Sequence, residues 1–356
     1  MKIAVITCYD QNDYVRAKSL RAGFAAVPGV QAIVLKNKHT GLLRYIEVPL
    51  RLLKLRFAQR PDVYVLTFRG YEMLPLLLLL KGRKPLIFDE FINAAEYLAE
   101  HNKLQPQSGL GKLFRRWYGG LLRRCRMILA DTEAHADYSS ELCNVPRGCY
   151  RALPVNADET LFYPRPATGP APETFTVFYY GNGMTPLHGL QLVLDAAVAL
   201  KGNPHIRFNI VGGKTRGEQA CADAVAKGAN ITYETWIPFE DIAKRASAAG
   251  LCLGGPFGKT LQSQFVVTGK TYQFLAAGAP VLVGANEVSG IFTDKVNCLL
   301  VPQQDSEAIR QAIEWASAHP KELAAISHAG RMLYEAHFSQ AVINRQLATL
   351  VEELHA

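Results

Sequence analysis

"GKTYQFLAAGAPVLVGANEVSGIF", Gly269 to Phe292, is a short helical pattern that starts beside a lysine, stops on Ala-Gly-Ala-Pro and runs straight into an apolar strand. Gly278 and Pro280 end that helix, because glycine enters the left-handed cap conformation and proline cannot continue the hydrogen-bond ladder. Thr268 can cap the other end. A helix that begins in a loop of small residues presents free backbone N–H groups and a positive dipole end, a ready seat for an anion such as a diphosphate.

Outward from this stretch, short apolar runs alternate with helical patterns: "FTVFYYG", "IRFNIVG", "NITYET", "GLCLGG", "PVLVG" and "CLLVP". An earlier series, "KIAVIT", "QAIVL", "DVYVLT", "PLIFD" and "RMILAD", does the same. Repeated βαβ units and parallel sheets follow. Between the two series lies "YPRPATGPAPET", with four prolines in twelve residues, which reads as a linker near 163–174. At 356 residues the chain exceeds what one core usually serves. The expected architecture is α/β, two Rossmann-like doubly wound domains facing across a cleft. Residues 1–165 are expected to form the first and residues 174–335 the second, and 336–356 reads as one amphipathic helix. The binding site is expected between the carboxyl ends of the strands.

Seven cysteines without a C-x-x-C pair point to a reduced compartment, neither a disulfide framework nor a zinc site. The start, "MKIAVITCYDQND", reads as a strand and lacks a signal-peptide pattern, so the cytoplasm is the expected location. The run "MLPLLLLL" at 73–80 is too short for a bilayer span and reads as a buried helix. Charge is unevenly placed. Residues 1–165 hold 25 Lys and Arg against 15 Asp and Glu, while 166–356 hold 14 against 16, which directs the first half toward something anionic.

Two loops carry the chemistry of the second half. "YYGNGMTPLHG" follows a strand and places Gly181, Asn182, Gly183 and His188 ahead of the next helix; small residues there let a ligand approach the backbone. His188, a candidate catalytic residue together with Asp89, is either a phosphate or sugar contact or a solvent-facing cap of the next helix. "LGGPFGKTLQSQFVVTGK" adds Gly258, Lys259 and Lys270 just before the helix of Gly269.

The order "YYGNGMTPLHG", "IVGG", "WIPFEDI", "KTYQFLAAGAPVLVG" and "NCLLVPQQDSEAIRQAI" resembles the C-terminal half of GT-B fold glycosyltransferases of the family 4 type. "LIFDEFI" and "ILADTEAHADY" extend the likeness to the first half. The resemblance implies a retaining, metal-independent hexosyltransferase without a cofactor, which holds a nucleotide-sugar in its C-terminal domain and an acceptor in its N-terminal one. Donor contacts then fall to Gly181, Asn182, Gly183, Gly258, Lys259, Lys270, Thr271 and Gln273. The resemblance also implies that the helix of 336–356 returns to the first domain. Members usually carry two glutamates separated by seven residues. Here Gln273 occupies the second position and Phe265 lies eight residues before it. A glutamine still hydrogen-bonds a ribose hydroxyl, but without charge assistance.

In the first half, Asp89 ends an apolar strand, where it can orient or deprotonate an acceptor hydroxyl or simply cap the next segment. Asp131 invites the same two readings. "KLFRRWYGGLLRRCR", Lys112 to Arg126, carries six basic residues and no acid. On a helical wheel Leu113, Phe114, Trp117, Tyr118, Leu121, Leu122 and Cys125 share one half, opposite Lys112, Arg115, Arg116, Arg123 and Arg126. That basic face is either merely solvated or attracted to anionic lipid. The expected function is sugar transfer from a nucleotide-diphosphate donor to a saccharide or lipid-linked acceptor at the inner membrane face, in envelope polysaccharide or glycolipid assembly. The alternative is a catalytically silent protein of the same fold that partners an active enzyme. No nucleic-acid module accompanies the basic half.

Overall fold

The computed structural model describes every residue except 12, 101–102, 106, 166–172, 182–184 and 355–356. The chain divides into two units, Met1–Asn156 with Gln340–Ala356, and Ala157–Ser339. The first boundary thus precedes the proline-rich segment, of which 166–172 lie outside the described residues.

Unit 1 has strands β1 (Lys2–Thr7), β2 (Gln31–Lys36), β3 (Val63–Leu66), β4 (Leu86–Asp89), β5 (Met127–Ala130) and β6 (Tyr150–Ala152). They form one parallel sheet in the order β2-β1-β3-β4-β5-β6. Its helices are α1 (Val15–Ala26), α2 (Arg44–Gln59), α3 (Leu74–Leu80), α4 (Ala94–Glu100), α5 (Gly109–Leu122) and α6 (Glu133–Cys143). Side chains alternate across each strand, so Ala4 and Ile6 face one core while Ile3 and Val5 face the other. The first core is closed by α2, α3 and α5 through Val48, Leu52, Leu77, Tyr118 and Leu122. Each fully buried side chain of this size contributes roughly 1.5–3 kcal/mol.

Unit 2 has β7 (Phe175–Gly181), β8 (Ile206–Gly212), β9 (Ile231–Glu234), β10 (Leu251–Leu253), β11 (Val281–Ala285) and β12 (Leu299–Pro302), again parallel, in the order β12-β11-β10-β7-β8-β9. Helices α7 (Leu190–Ala199), α8 (Lys214–Ala226), α9 (Phe239–Ala248), α10 (Gly269–Ala276), α11 (Ser306–Ala318) and α12 (Pro320–His337) flank it. The last helix, α13 (Gln340–Glu353), belongs to unit 1, where Ile343, Leu347 and Leu350 complete the second core beside Leu20 and Phe24 of α1. Gly23 makes that contact fit, since a Cβ there would lie 2.4 Å from Leu347 Cδ1.

The wheel drawn for 112–126 is corrected. Helix α5 buries Gly111, Tyr118, Gly119, Leu121 and Leu122, and leaves Leu113 and Trp117 exposed. The reason is Gly119, where a Cβ would stand 2.1 Å from the carbonyl oxygen of Cys143 at the end of α6. Backbone-to-backbone approach through glycine, not apolar area, sets which face of α5 points inward.

Candidate functional site

In a doubly wound sheet, ligands bind outside the carboxyl ends of the strands where the winding reverses. In unit 2 that point lies between β7 and β10, the two central strands from which the chain runs outward in both directions. Three segments converge there: the end of β7, the loop after β10, and α10.

Helix α10 begins as the sequence predicts. Thr268 is extended, its hydroxyl accepts the Thr271 N–H at 3.4 Å and donates to the Gly254 carbonyl at 2.7 Å. Thr271 is fully buried, with its hydroxyl 3.0 Å from that of Thr268, so it serves the cap. Lys270, the next residue back, is only 4% exposed. Its Nζ has no hydrogen-bond partner among the described residues and stands 4.0 Å from the ring centre of Tyr179. The ring face offers partial compensation for lost water. Burial pushes the ammonium pKa down to about 7. The Tyr179 hydroxyl is likewise buried without a partner among the described residues.

His188 ends a short 3-10 turn, Pro186–His188, and its Nδ1 is buried without a partner among the described residues. Burial and the nearby Lys270 charge push its pKa down to about 3, so the ring is neutral. Gly189 follows at φ 63°, and the Gly258 N–H donates to the Leu187 carbonyl at 3.1 Å. A Cβ on Gly258 would lie 1.7 Å from the Pro186 oxygen, so this glycine answers the packing of two loops against each other. Gln273 is buried, and its Oε1 accepts a short hydrogen bond from the Tyr180 hydroxyl. Gly181 closes β7, and Lys259 is exposed. Asn182 and Gly183 lie outside the described residues. Tyr179 and Tyr180 escaped the sequence reading because strand tyrosines look like core.

In unit 1 the winding reverses between β1 and β3. The loops there bring Arg69 over the rings of Tyr97 at 4.4 Å and Tyr9 at 5.5 Å. A pocket of about 710 Å³ opens beside them, lined by Asp10, Leu42, Arg44, Tyr45, Glu72 and Leu76 among others. The role expected of Asp89 gives way to a structural one. The carboxylate is fully buried; Oδ1 accepts from Arg16 Nε and Nη2 at 3.0 and 2.9 Å, and Oδ2 accepts the Phe68 N–H at 3.1 Å. Both oxygens are engaged and no face is open to an acceptor. Burial raises its pKa against the pull of Arg16. Asp131 is buried too, 2.7 Å from His135 Nδ1, while Glu96 lies 3.1 Å from Nε2 of the same ring.

The basic residues of 112–126 divide. Arg115 donates to the Leu142 carbonyl at 3.3 Å and Arg123 to that of Asn144 at 2.5 Å, both at the end of α6. Arg126 donates to the Glu353 carbonyl at 3.4 Å. Lys112 and Arg116 point outward. Among the described residues no helix is long and apolar enough to cross a membrane, and no group of His, Cys, Asp and Glu could hold a metal ion.

Residues 191–349 match the family model described as "Glycosyl transferase-like". No curated protein matches the sequence. Among solved structures, HepE from Anabaena, crystallised with UDP and glucose, superposes with a TM-score of 0.72 at 15% identity, over 99% of this chain and 100% of that one. Sucrose-phosphate synthase from Thermosynechococcus elongatus gives 0.76 at 16% identity, over 100% and 99%. A glycosyltransferase from Rickettsia africae gives 0.69 at 13%, over 99% and 98%. The fold is thus the two-unit α/β arrangement of the GT-B transferases.

Proposed function

We propose that the chain is a glycosyltransferase that takes a sugar from a nucleotide-diphosphate donor bound at the switch point of unit 2. One observation carries the reading: Lys270 is a buried cation with no counter-charge among the described residues, set in the first turn of α10. An isolated buried ammonium is costly, and a diphosphate removes that cost by supplying both charge and acceptors. The first N–H groups of α10 add their dipole on the same side. The neutral ring of His188 offers a further polar contact, Gln273 meets the ribose, and Gly181 with Asn182 and Gly183 lets the donor lie against the backbone. Lys259 reaches in from the exposed loop. The UDP in the Anabaena HepE structure supports a uridine donor.

The chemistry of this reading is of the retaining, metal-independent, family 4 kind. The bond from the sugar's anomeric carbon to the diphosphate breaks, a bond to the acceptor oxygen forms on the same face, and the acceptor proton passes to the leaving phosphate. Lys270 and the α10 amides stabilise the charge that develops there. The acceptor enters the pocket of unit 1. Its lining joins the apolar Leu42, Met73 and Leu76 to the charged Asp10, Arg44 and Glu72, and with the basic outer residues Lys112 and Arg116 it suits a lipid-linked acceptor at an anionic membrane face, in envelope polysaccharide or glycolipid assembly.

Calorimetry with UDP, GDP and ADP tests the donor site. Binding of one of them, weakened about tenfold or more by Lys270→Ala, is expected. Nucleotide binding that is indifferent to Lys270 overturns the assignment. Release of UDP from a UDP-sugar, with or without acceptor, separates an enzyme from a silent binding protein.

A further inference from the structure

Helices α2, α3 and α5 lie side by side over one face of the first sheet, α2 packed on α3 and α3 on α5. Their inward faces build the core, and their outward faces are apolar as well. Leu43, Ile46, Leu50 and Phe57 fall at i, i+3, i+7 and i+14, a single line along α2 and its entry, and each is at least 60% exposed. On α5, Leu110, Leu113 and Trp117 repeat the spacing and are at least half exposed. Leu79 of α3 stands out between the two lines. So broad an apolar outer layer marks a binding surface.

We propose that this ridge inserts into an anionic lipid bilayer. The proposal rests on the lipid-side reading of unit 1 and extends it from attraction of charges to burial of named side chains. Charge selects this occupant. Within α2, α3 and α5 there are seven Lys and Arg against one acid, Glu47. Glu47 is turned onto Arg51 at 2.6 Å and onto the N–H groups of Lys38 and His39, so it presents little negative field outward. Lys54 beside the α2 line, and Lys112 and Arg116 beside the α5 line, are exposed at the ridge's flanks. Apolar stripes flanked by cations are what a helix needs to lie in the headgroup region. Continuity selects it as well: Leu42, 83% exposed, both precedes the α2 line and lines the pocket of unit 1, so a lipid-borne acceptor passes from ridge to pocket without crossing water.

The test uses the full chain and sedimentation with vesicles of phosphatidylcholine alone or with about three-tenths phosphatidylglycerol. Binding to the anionic vesicles, weaker at about 0.5 M than at about 0.1 M salt, is expected. In a Trp236→Phe, Trp315→Phe background, Trp117 should be quenched by brominated lipid. Replacing Ile46, Leu50 and Phe57 together by serine should weaken vesicle binding about tenfold or more while UDP affinity and the thermal melt hold. Vesicle binding by both forms alike, with Trp117 unquenched, overturns insertion and leaves the charge-only reading of Lys112 and Arg116 standing. No vesicle binding overturns both, whatever calorimetry reports of the donor site. If the serine variant instead converts a dimer to a monomer in light scattering and vesicle binding is unchanged, the ridge is a self-association surface and the proposal fails.

Discussion

At the carboxyl edge of the first sheet, Asp89 and Arg16 are buried and bonded to each other; at the same edge of the second, Lys270 is buried nearly as deeply with nothing bonded to its ammonium among the described residues. The neighbouring charges of unit 1 follow the first pattern. His135 lies between Asp131 and Glu96, and Glu90 accepts from Ser139 at 2.6 Å and from Tyr118 at 2.9 Å. A charge whose partner is built in braces the fold. A charge left without one costs stability until something else supplies the partner, and that is the mark of a ligand site. The two edges share an architecture and differ in where the counter-charge comes from.

The largest expected effect breaks the braced side. Asp89→Ala strands the Arg16 guanidinium in the core and should cost roughly 3–5 kcal/mol in urea unfolding. A loss under about 1 kcal/mol would mean that the Leu153 and Pro154 carbonyls, which also accept from Arg16, hold it unaided.

Next comes His135. Burial alone would lower its pKa, but the Asp131 and Glu96 carboxylates raise it well above the ordinary value of about 6.5. A raised folded pKa means that the contribution is complete below about 6.5 and is lost as pH rises through the folded value. His135→Gln should therefore cost roughly 1.5–3 kcal/mol at pH about 6, with the gap from the parent narrowing as pH rises through the raised folded value. A gap that widens with pH would show the ring to be neutral between its two acids.

On the unbraced side the sign reverses. Lys270→Met removes a buried charge and should stabilise the chain by about 1–2 kcal/mol in the absence of nucleotide, while nucleotide affinity falls. Destabilisation comparable to Asp89→Ala would erase the distinction between the edges. The smallest effect is a pH profile. Free Lys270 is charged below about 7 and neutral above, so nucleotide affinity should drop about tenfold between pH about 7 and about 9, and the methionine variant should be flat over that span.

The parts of this picture that sequence discloses are the locally determined ones. Helix α10 was legible because its cap, Thr268, and its stop, Gly278, are written within ten residues of each other. Strand β1 matches "KIAVIT" residue for residue, since a fully buried strand needs an unbroken apolar run. Strand β6, Tyr-Arg-Ala, has no such run and went unread. Lys270 and Gln273 could be nominated from the helix start alone, but their partners could not. Tyr179 and Tyr180 reach them from strand β7, and Arg16 meets Asp89 across 73 residues. The outward face of α5 was misread for the same reason, because the contact that orients it is made by Gly119 with a different helix.

Helix α13 gives the chain an order of assembly. Unit 2 is one uninterrupted segment, complete once Ser339 has left the ribosome, whereas the sheet made from the first 156 residues keeps Leu20, Phe24 and their neighbours uncovered until Gln340–Glu353 arrive. From the time its first 156 residues are made until α13 arrives, the earlier-made half is thus the unfinished one, with an apolar face bare. Helix α13 is the clasp that ends that exposure, and a chain cut at Ser339 keeps every residue of unit 2 while unit 1 stays open.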